Sequence, residues 1–221
     1  MLKYNFLLYL ASPFILLKLI FYRFKHSTKV SYLIQKLFGG KLSSSYSVWL
    51  HAASVGEMKI ALSIAKCLAD RGLKNMLITS NTPSSKFIFE EAKLDNVDHY
   101  YLPFDFFFAT KKFVKSISAK LLIIIETEIW PNLYHHCQVN QTTMITINAR
   151  FNPPKGILGV MSKELYKDTL SKIDHIYCKS KNDVESFKGY TDERKISFVG
   201  NIKHALVNDN VVSEKIIDKK Y

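Results

Sequence analysis

Short aliphatic, β-branched or aromatic runs alternate along most of this chain with longer segments whose apolar positions recur every three or four residues. The runs are Val48-Trp-Leu-His51, Asn75-Met-Leu-Ile-Thr79, His99-Tyr-Tyr-Leu102, Leu121-Leu-Ile-Ile-Ile125, Met144-Ile-Thr-Ile147, His175-Ile-Tyr-Cys178 and Ile196-Ser-Phe-Val199. Each is short, continuous and apolar, as a strand buried on both faces must be. Between most of them lie helical segments, such as Ile60 to Ala69, where Leu62, Ala65, Leu68 and Ala69 share a face. Repeated βα units predict an α/β fold, a Rossmann-like parallel sheet with helices on both faces. Thr82 before Pro83 reads as a cap with proline at the first helical position, and Trp130 before Pro131 as a second helix start.

The first 45 residues follow another pattern. From Phe6 to Tyr22 the chain is almost wholly apolar, interrupted by Pro13 and Lys18 and followed by Arg23-Phe-Lys25-His26. A spanning helix needs about 20 apolar residues, so this segment is marginal and is expected either to span a bilayer or to lie in its interface. The cations that follow it place the remaining chain on the cytoplasmic side. At 221 residues and 48% hydrophobic content the chain can build a substantial core. Its net charge of +12 favours polyanions, and no acidic residue precedes Glu57 whereas Lys3, Lys18, Arg23, Lys25, Lys29, Lys36 and Lys41 do. The aromatic residues do not interleave with basic ones as on a nucleic-acid surface, so no nucleic-acid partner is expected. Cys67, Cys137 and Cys178 are scattered and odd in number, and are expected to be buried small residues of a reducing compartment. No histidine or cysteine spacing implies a metal, and no cofactor fingerprint is present: there is no GxGxxG, GxxxxGK[ST] or GxSxG.

Candidate chemistry lies where strands end, because ligands of open α/β sheets bind beyond the carboxyl ends of the strands. After the first strand comes Ala52-Ala-Ser54-Val-Gly56-Glu57. Ser54 and Glu57 have capping-box spacing. The same stretch also places a carboxylate at the mouth of the sheet beside a helix N-terminus, where it is expected to stay ionised and to accept a proton from a sugar hydroxyl. The small residues Ser54 and Gly56 leave room for a ligand. Leu121 to Ile125 runs into Glu126-Thr-Glu128-Ile-Trp130-Pro131-Asn132, and strand alternation implies that only one of Glu126 and Glu128 faces the cleft. Ile147-Asn148-Ala149-Arg150 ends in a guanidinium able to hold a phosphate or carboxylate, and the last strand leads to Gly200-Asn201-Ile202-Lys203.

Together HAASVGE, the stretch Thr79 to Pro83, Tyr101-Leu-Pro-x-Asp105, ETEIWPN, INAR and GNIK resemble, in order and spacing, the 3-deoxy-D-manno-octulosonic acid (Kdo) transferases. That resemblance implies the N-terminal, acceptor-binding domain of a GT-B glycosyltransferase, inverting and metal-independent, on the cytoplasmic face of the cell inner membrane. It would move Kdo from CMP-Kdo to the lipid A precursor. By the resemblance Glu57 is the proton acceptor and Glu126 and Lys203 are transition-state stabilisers, while Ser54, Gly56 and Arg150, read from their place at the strand ends, are expected to bind substrate. The domains expected are residues 1–45 as membrane anchor, 46–203 as acceptor-binding α/β domain and 204–221 as a linker. Phe151-Asn-Pro153-Pro154-Lys155 departs from the family pattern, as do Ser84-Ser85 and His204-Ala205. The chain stops where the family begins its donor-binding domain, so a truncated or split enzyme is expected, inactive alone unless a separate C-terminal half docks in the cleft. The alternatives are a non-catalytic lipid A-binding remnant, or half of another GT-B enzyme.

Overall fold

The structure is a computed structural model that describes residues 1–26, 28–40, 42 and 44–202. Its strands are β1 (Val48–Ala52), β2 (Met76–Ser80), β3 (Val97–Tyr101), β4 (Leu121–Ile125), β5 (Thr143–Ala149), β6 (His175–Cys178) and β7 (Ile196–Phe198). The helices are α1 (Leu2–His26), α2 (Val30–Phe38), α3 (Val55–Asp70), α4 (Pro83–Ala92), α5 (Phe107–Ile117), α6 (Pro131–Val139), α7 (Gly156–Leu170) and α8 (Lys181–Phe187). Every run of the alternating pattern forms a strand, and the seven make one wholly parallel sheet in the order β3-β2-β1-β4-β5-β6-β7. This is the expected Rossmann-like α/β fold. The order reverses direction between β1 and β4, which pair Val48 with Leu121 through His51 with Ile124. The crevice beyond their carboxyl ends is therefore the topological switch point.

Alternation along the strands divides the core between the two sheet faces. Trp49, Leu77 and Leu122 meet Phe113, Val114 and Tyr134 from α5 and α6 on one side. Leu50, Ile78 and Ile123 meet Met58, Ile60 and Ala61 of α3 on the other. Two sequence expectations need correction. Of the run Ile196 to Val199 only Ile196–Phe198 forms a strand, and it is an edge strand with Phe198 and the following Val199 mostly exposed, because nothing pairs beyond β7 among the described residues. Cys67 is exposed on α3, and only Cys137 and Cys178 are buried.

The helix starts show what the local sequence encodes. Thr82 caps α4 by accepting from the Ser85 N–H, with Pro83 in its first turn. Trp130 precedes Pro131 but offers no side-chain cap to α6. Asp105, distant in sequence, does so instead: its carboxylate accepts from the Asn132 and Leu133 N–H groups, each at 2.9 Å. The helix α2 ends at Gly39, whose φ of +68° and close approach to the Ala109 backbone of α5 exclude a side chain. It covers the end of β3, where Gln35 Oε1 accepts from the Tyr101 N–H and the Lys36 carbonyl accepts from the Phe104 N–H. Residues 204–221, and with them the expected linker, lie outside the described residues, as does Lys203.

Candidate active site

The first strand stops at Ala52, and Ser54, extended at φ −120° and ψ 168°, starts α3. Its hydroxyl accepts from the Glu57 N–H at 3.3 Å and donates to Glu57 Oε1 at 2.7 Å, while the Ala53 N–H donates to Oε2 at 2.6 Å. The capping box thus forms, and the same bonds fold the Glu57 carboxylate back over the end of β1, where it is 9% exposed. The side chain serves the cap and the crevice at once. Burial raises its pKa, with Glu126 adding to the rise and the Ser54 hydroxyl and Ala53 N–H opposing it. The expected pull of the helix start towards ionisation is outweighed by desolvation. A carboxylate shifted upward is a stronger base once ionised, which suits proton abstraction.

On the facing side of the switch point, β4 ends at Ile125 and the chain turns sharply. Glu126 has φ +62°, left-handed for a residue that is not glycine, and its N–H bonds to the Ile147 carbonyl at 2.9 Å. Because the extended backbone stops before Glu126, strand alternation does not apply. Glu126 and Glu128 both act electrostatically on the Glu57 region. Glu128 is pushed up to about 7, first by burial and then by Glu57, with Lys36 opposing. Its backbone is fixed by the Tyr134 hydroxyl, which donates to the Glu128 carbonyl at 2.6 Å. At the adjacent end of β5, Asn148 also has a positive φ, +53°, and its buried amide has no hydrogen-bond partner among the described residues.

Two further residues at this edge were given no chemical role by the sequence, although His51 opens the HAASVGE motif. Lys36 of α2 is almost fully buried, its ammonium donating to the Leu102 carbonyl at 2.7 Å and to Asn81 Oδ1 at 3.1 Å, 4.7 Å from the Phe104 ring centre. Burial lowers it to about 7, against the pull of Glu128. His51, at the end of β1, is neutral because burial and then Lys36 lower it to about 3. The Thr79 hydroxyl accepts from the Trp49 indole at 2.8 Å and lies 2.9 Å from His51 Nδ1, closer than its 3.5 Å to the Leu50 carbonyl. Nε2 of the ring is buried without a hydrogen-bond partner among the described residues, and the ring stands edge-on to Trp130 at 6.4 Å.

Of the residues singled out in the sequence, Glu57, Glu126 and Ser54 come together at the switch point. Ser54 and Gly56 are exposed at its rim, and a Cβ on Gly56 would meet only the Ser54 hydroxyl, at 3.9 Å. Arg150 is exposed, and its backbone N–H donates to Thr127 Oγ1 at 3.1 Å, tying the INAR turn to the ETE turn. At Ile202, the last described residue, the chain packs against the core cluster that holds Met58 of α3 and Ile125 of β4, the sequence neighbours of Glu57 and Glu126.

Residues 20–206 match the family profile described as 3-deoxy-D-manno-octulosonic-acid transferase (kdotransferase). A 3-deoxy-D-manno-octulosonic acid transferase from Haemophilus influenzae is 30% identical over 172 residues, covering 76% of this chain and 40% of that protein. One of the same description from Rickettsia felis is 33% identical over 175 residues, covering 74% of this chain and 36% of its own length. The chain thus spans about two fifths of the relatives it matches. A crystal structure of a glycosyltransferase from Rickettsia africae superposes with a TM-score of 0.53 at 16% identity, over 71% of this chain and 43% of that one, a likeness of fold.

Proposed function

This chain belongs to the 3-deoxy-D-manno-octulosonic-acid transferase family, and on that premise we propose that it supplies the acceptor-binding half of a transferase moving Kdo from CMP-Kdo to a lipid A precursor. The observation that carries the reading is the placement of Glu57 and Glu126 on opposite sides of the β1/β4 switch point. In this reading Glu57 takes the proton of the acceptor hydroxyl. That oxygen forms its bond to the anomeric carbon of Kdo as the bond to the CMP phosphate breaks, and CMP leaves with the electron pair. Attack opposite the leaving group inverts the anomeric centre. Glu126 and Lys203 stabilise the charge that develops, and a metal is not required. Ser54 holds the base, Gly56 leaves clearance and Arg150 meets a phosphate or carboxylate of the substrate.

Residues 46–203 form the acceptor-binding unit, residues 1–45 hold it at the cytoplasmic face of the inner membrane, and residues 204–221 lead towards a donor-binding domain. That domain supplies most of the CMP-Kdo site, as a separate half or as a continuation of the chain. The apolar α1 and the cations around it support the membrane assignment. The reading is tested by turnover of CMP-Kdo and lipid A precursor by this chain supplemented with a family C-terminal domain. Glu57→Gln is expected to lower turnover by roughly 10²–10⁴-fold, the usual contribution of a positioned base, while lipid binding stays intact. Unchanged turnover in E57Q refutes the assigned base. Lipid A binding with no turnover under any complementation establishes a non-catalytic binder instead.

A further inference from the structure

The helix α1 is long and apolar enough, from Leu2 to Phe24, to cross a bilayer, yet its contacts run along the α/β domain from one end to the other. At its start the Tyr4 hydroxyl donates to Asp105 Oδ2 at 2.9 Å, and the Asn132 amide donates to Asn5 Oδ1 at 2.6 Å. In the middle Tyr9 stacks on Phe106 at 5.6 Å. Near its end Leu19 is buried with Tyr32 and Tyr101, and Tyr22 packs beside them. The residues turned inward, Tyr4, Leu8, Ser12, Ile15, Leu19 and Tyr22, recur every three or four positions, as one stripe of a helix does.

The opposite stripe has the same period and is left uncovered by the described residues. Phe6, Leu10, Phe14, Leu17, Phe21 and Phe24 are each 63–77% exposed. An exposed apolar ridge of this length marks an interaction surface. The exposed charge on and just after the helix is cationic: Lys3, Lys18 and Lys29 are exposed and no acid precedes Glu57 in the sequence, a charge that suits an anionic leaflet.

We propose that α1 lies in the plane of the membrane surface as an interfacial helix, its Phe6 to Phe24 stripe sunk into one leaflet and its Tyr4 to Tyr22 stripe bound to the domain. This rests on the membrane reading given above. The reason is geometric. The domain-bound stripe, Tyr4 to Tyr22, is about 27 Å long at 1.5 Å per residue, close to the whole hydrocarbon thickness of about 30 Å. A spanning α1 would either carry the domain, with its loop backbone groups and the Asp105 carboxylate, through the bilayer core, or lose every contact named here. Irregular backbone facing lipid is not tolerated at that depth. In the plane both stripes are satisfied together. The start of α1 then sits against the α6 N-terminus, which follows directly on the Glu126 turn. The crevice is thereby held beside the leaflet, where the hydroxyl of a membrane-embedded lipid reaches Glu57 without leaving its bilayer.

The full chain, carrying Cys67→Ser to remove the exposed thiol, is produced in bacterial cells with Ala11→Cys or Lys29→Cys, both positions being exposed and outside the Phe6 to Phe24 stripe. A membrane-impermeant maleimide is applied to spheroplasts and to inverted membrane vesicles. The expected result is labelling of both cysteines in inverted vesicles and of neither in spheroplasts. Labelling of Ala11→Cys from the periplasmic side, or its protection on both sides while Lys29→Cys reacts, overturns the in-plane helix and leaves membrane attachment standing. Recovery of the chain in the soluble fraction overturns the membrane reading itself.

Discussion

Glu126 is the residue whose conformation says most about its use. A left-handed backbone costs an L-residue about 1–2 kcal/mol, and glutamate lacks the short side chain with which asparagine offsets that cost by local hydrogen bonds. At φ +62° the residue is held there by its bond to the Ile147 carbonyl and by the turn towards Trp130. Strain kept at a strand end in a crevice is the pattern of a functional position. Glu126→Gly removes the strain, partly offset by the greater unfolded-state freedom of glycine. We expect a gain in stability of roughly 0.5–1 kcal/mol by denaturant unfolding, together with a loss of complemented turnover of about 10²-fold or more. A stability loss with turnover retained would assign Glu126 to the fold. This residue also marks the limit of sequence reading. Ser54 and Glu57 were legible from capping-box spacing, but Glu126 could be separated from Glu128 only by family resemblance. Strand periodicity fails once the strand has ended, and the φ value that sets the direction of Glu126 is not written in its neighbours. His51 and Glu128 enter the site because β1, β2 and β4 are adjacent, a fact of topology rather than of local pattern.

At the scale of elements, all seven strands were visible as apolar runs, with ends displaced by one or two residues, because burial on both faces leaves a strong local mark. Less visible were the features that join distant segments: Asp105 capping α6, and Lys36 of α2 closing the ends of β2 and β3. A lone lysine on a short helix looks like a solvated charge until the sheet closes over it. Its burial makes the docking of α2 dependent on pH. The folded chain releases the Lys36 proton near pH 7, whereas the unfolded chain keeps it to about 10.5. Between these values the unfolded state binds more protons, so stability rises with pH, by up to about 1.4 kcal/mol per unit from this group. Below pH 7 both states hold the proton and the contribution stops changing. Lys36→Met keeps the apolar stem and removes the titration. Urea unfolding between pH 7.5 and 9.5 is expected to show the wild-type chain gaining stability relative to K36M across the window. Parallel curves would mean that the ammonium is solvated in the folded state.

For the molecule as a whole, charge and apolarity are arranged on one side of the chain's order. Seven of its cations precede Glu57 with no acid among them, and the large exposed apolar side chains are concentrated on α1. These two attractions to a membrane differ in their response to salt. Raising ionic strength from about 0.01 M to about 1 M shortens the screening length from roughly 30 Å to roughly 3 Å, which removes most of the attraction between exposed cations and anionic headgroups. Burial of the Phe6 to Phe24 stripe is not screened. Cosedimentation of the chain with phosphatidylglycerol-containing vesicles should therefore weaken as salt rises and then level off at a residual affinity. Phe14→Ser with Phe21→Ser should lower that residual while leaving the steepness of the salt response unchanged, since neither substitution alters a charge. Removing charge at Lys18 and Lys29 should flatten the salt response and spare the residual. Binding that vanishes entirely at high salt would show that the helix never enters the leaflet, and that the basic segment alone holds the domain at the membrane.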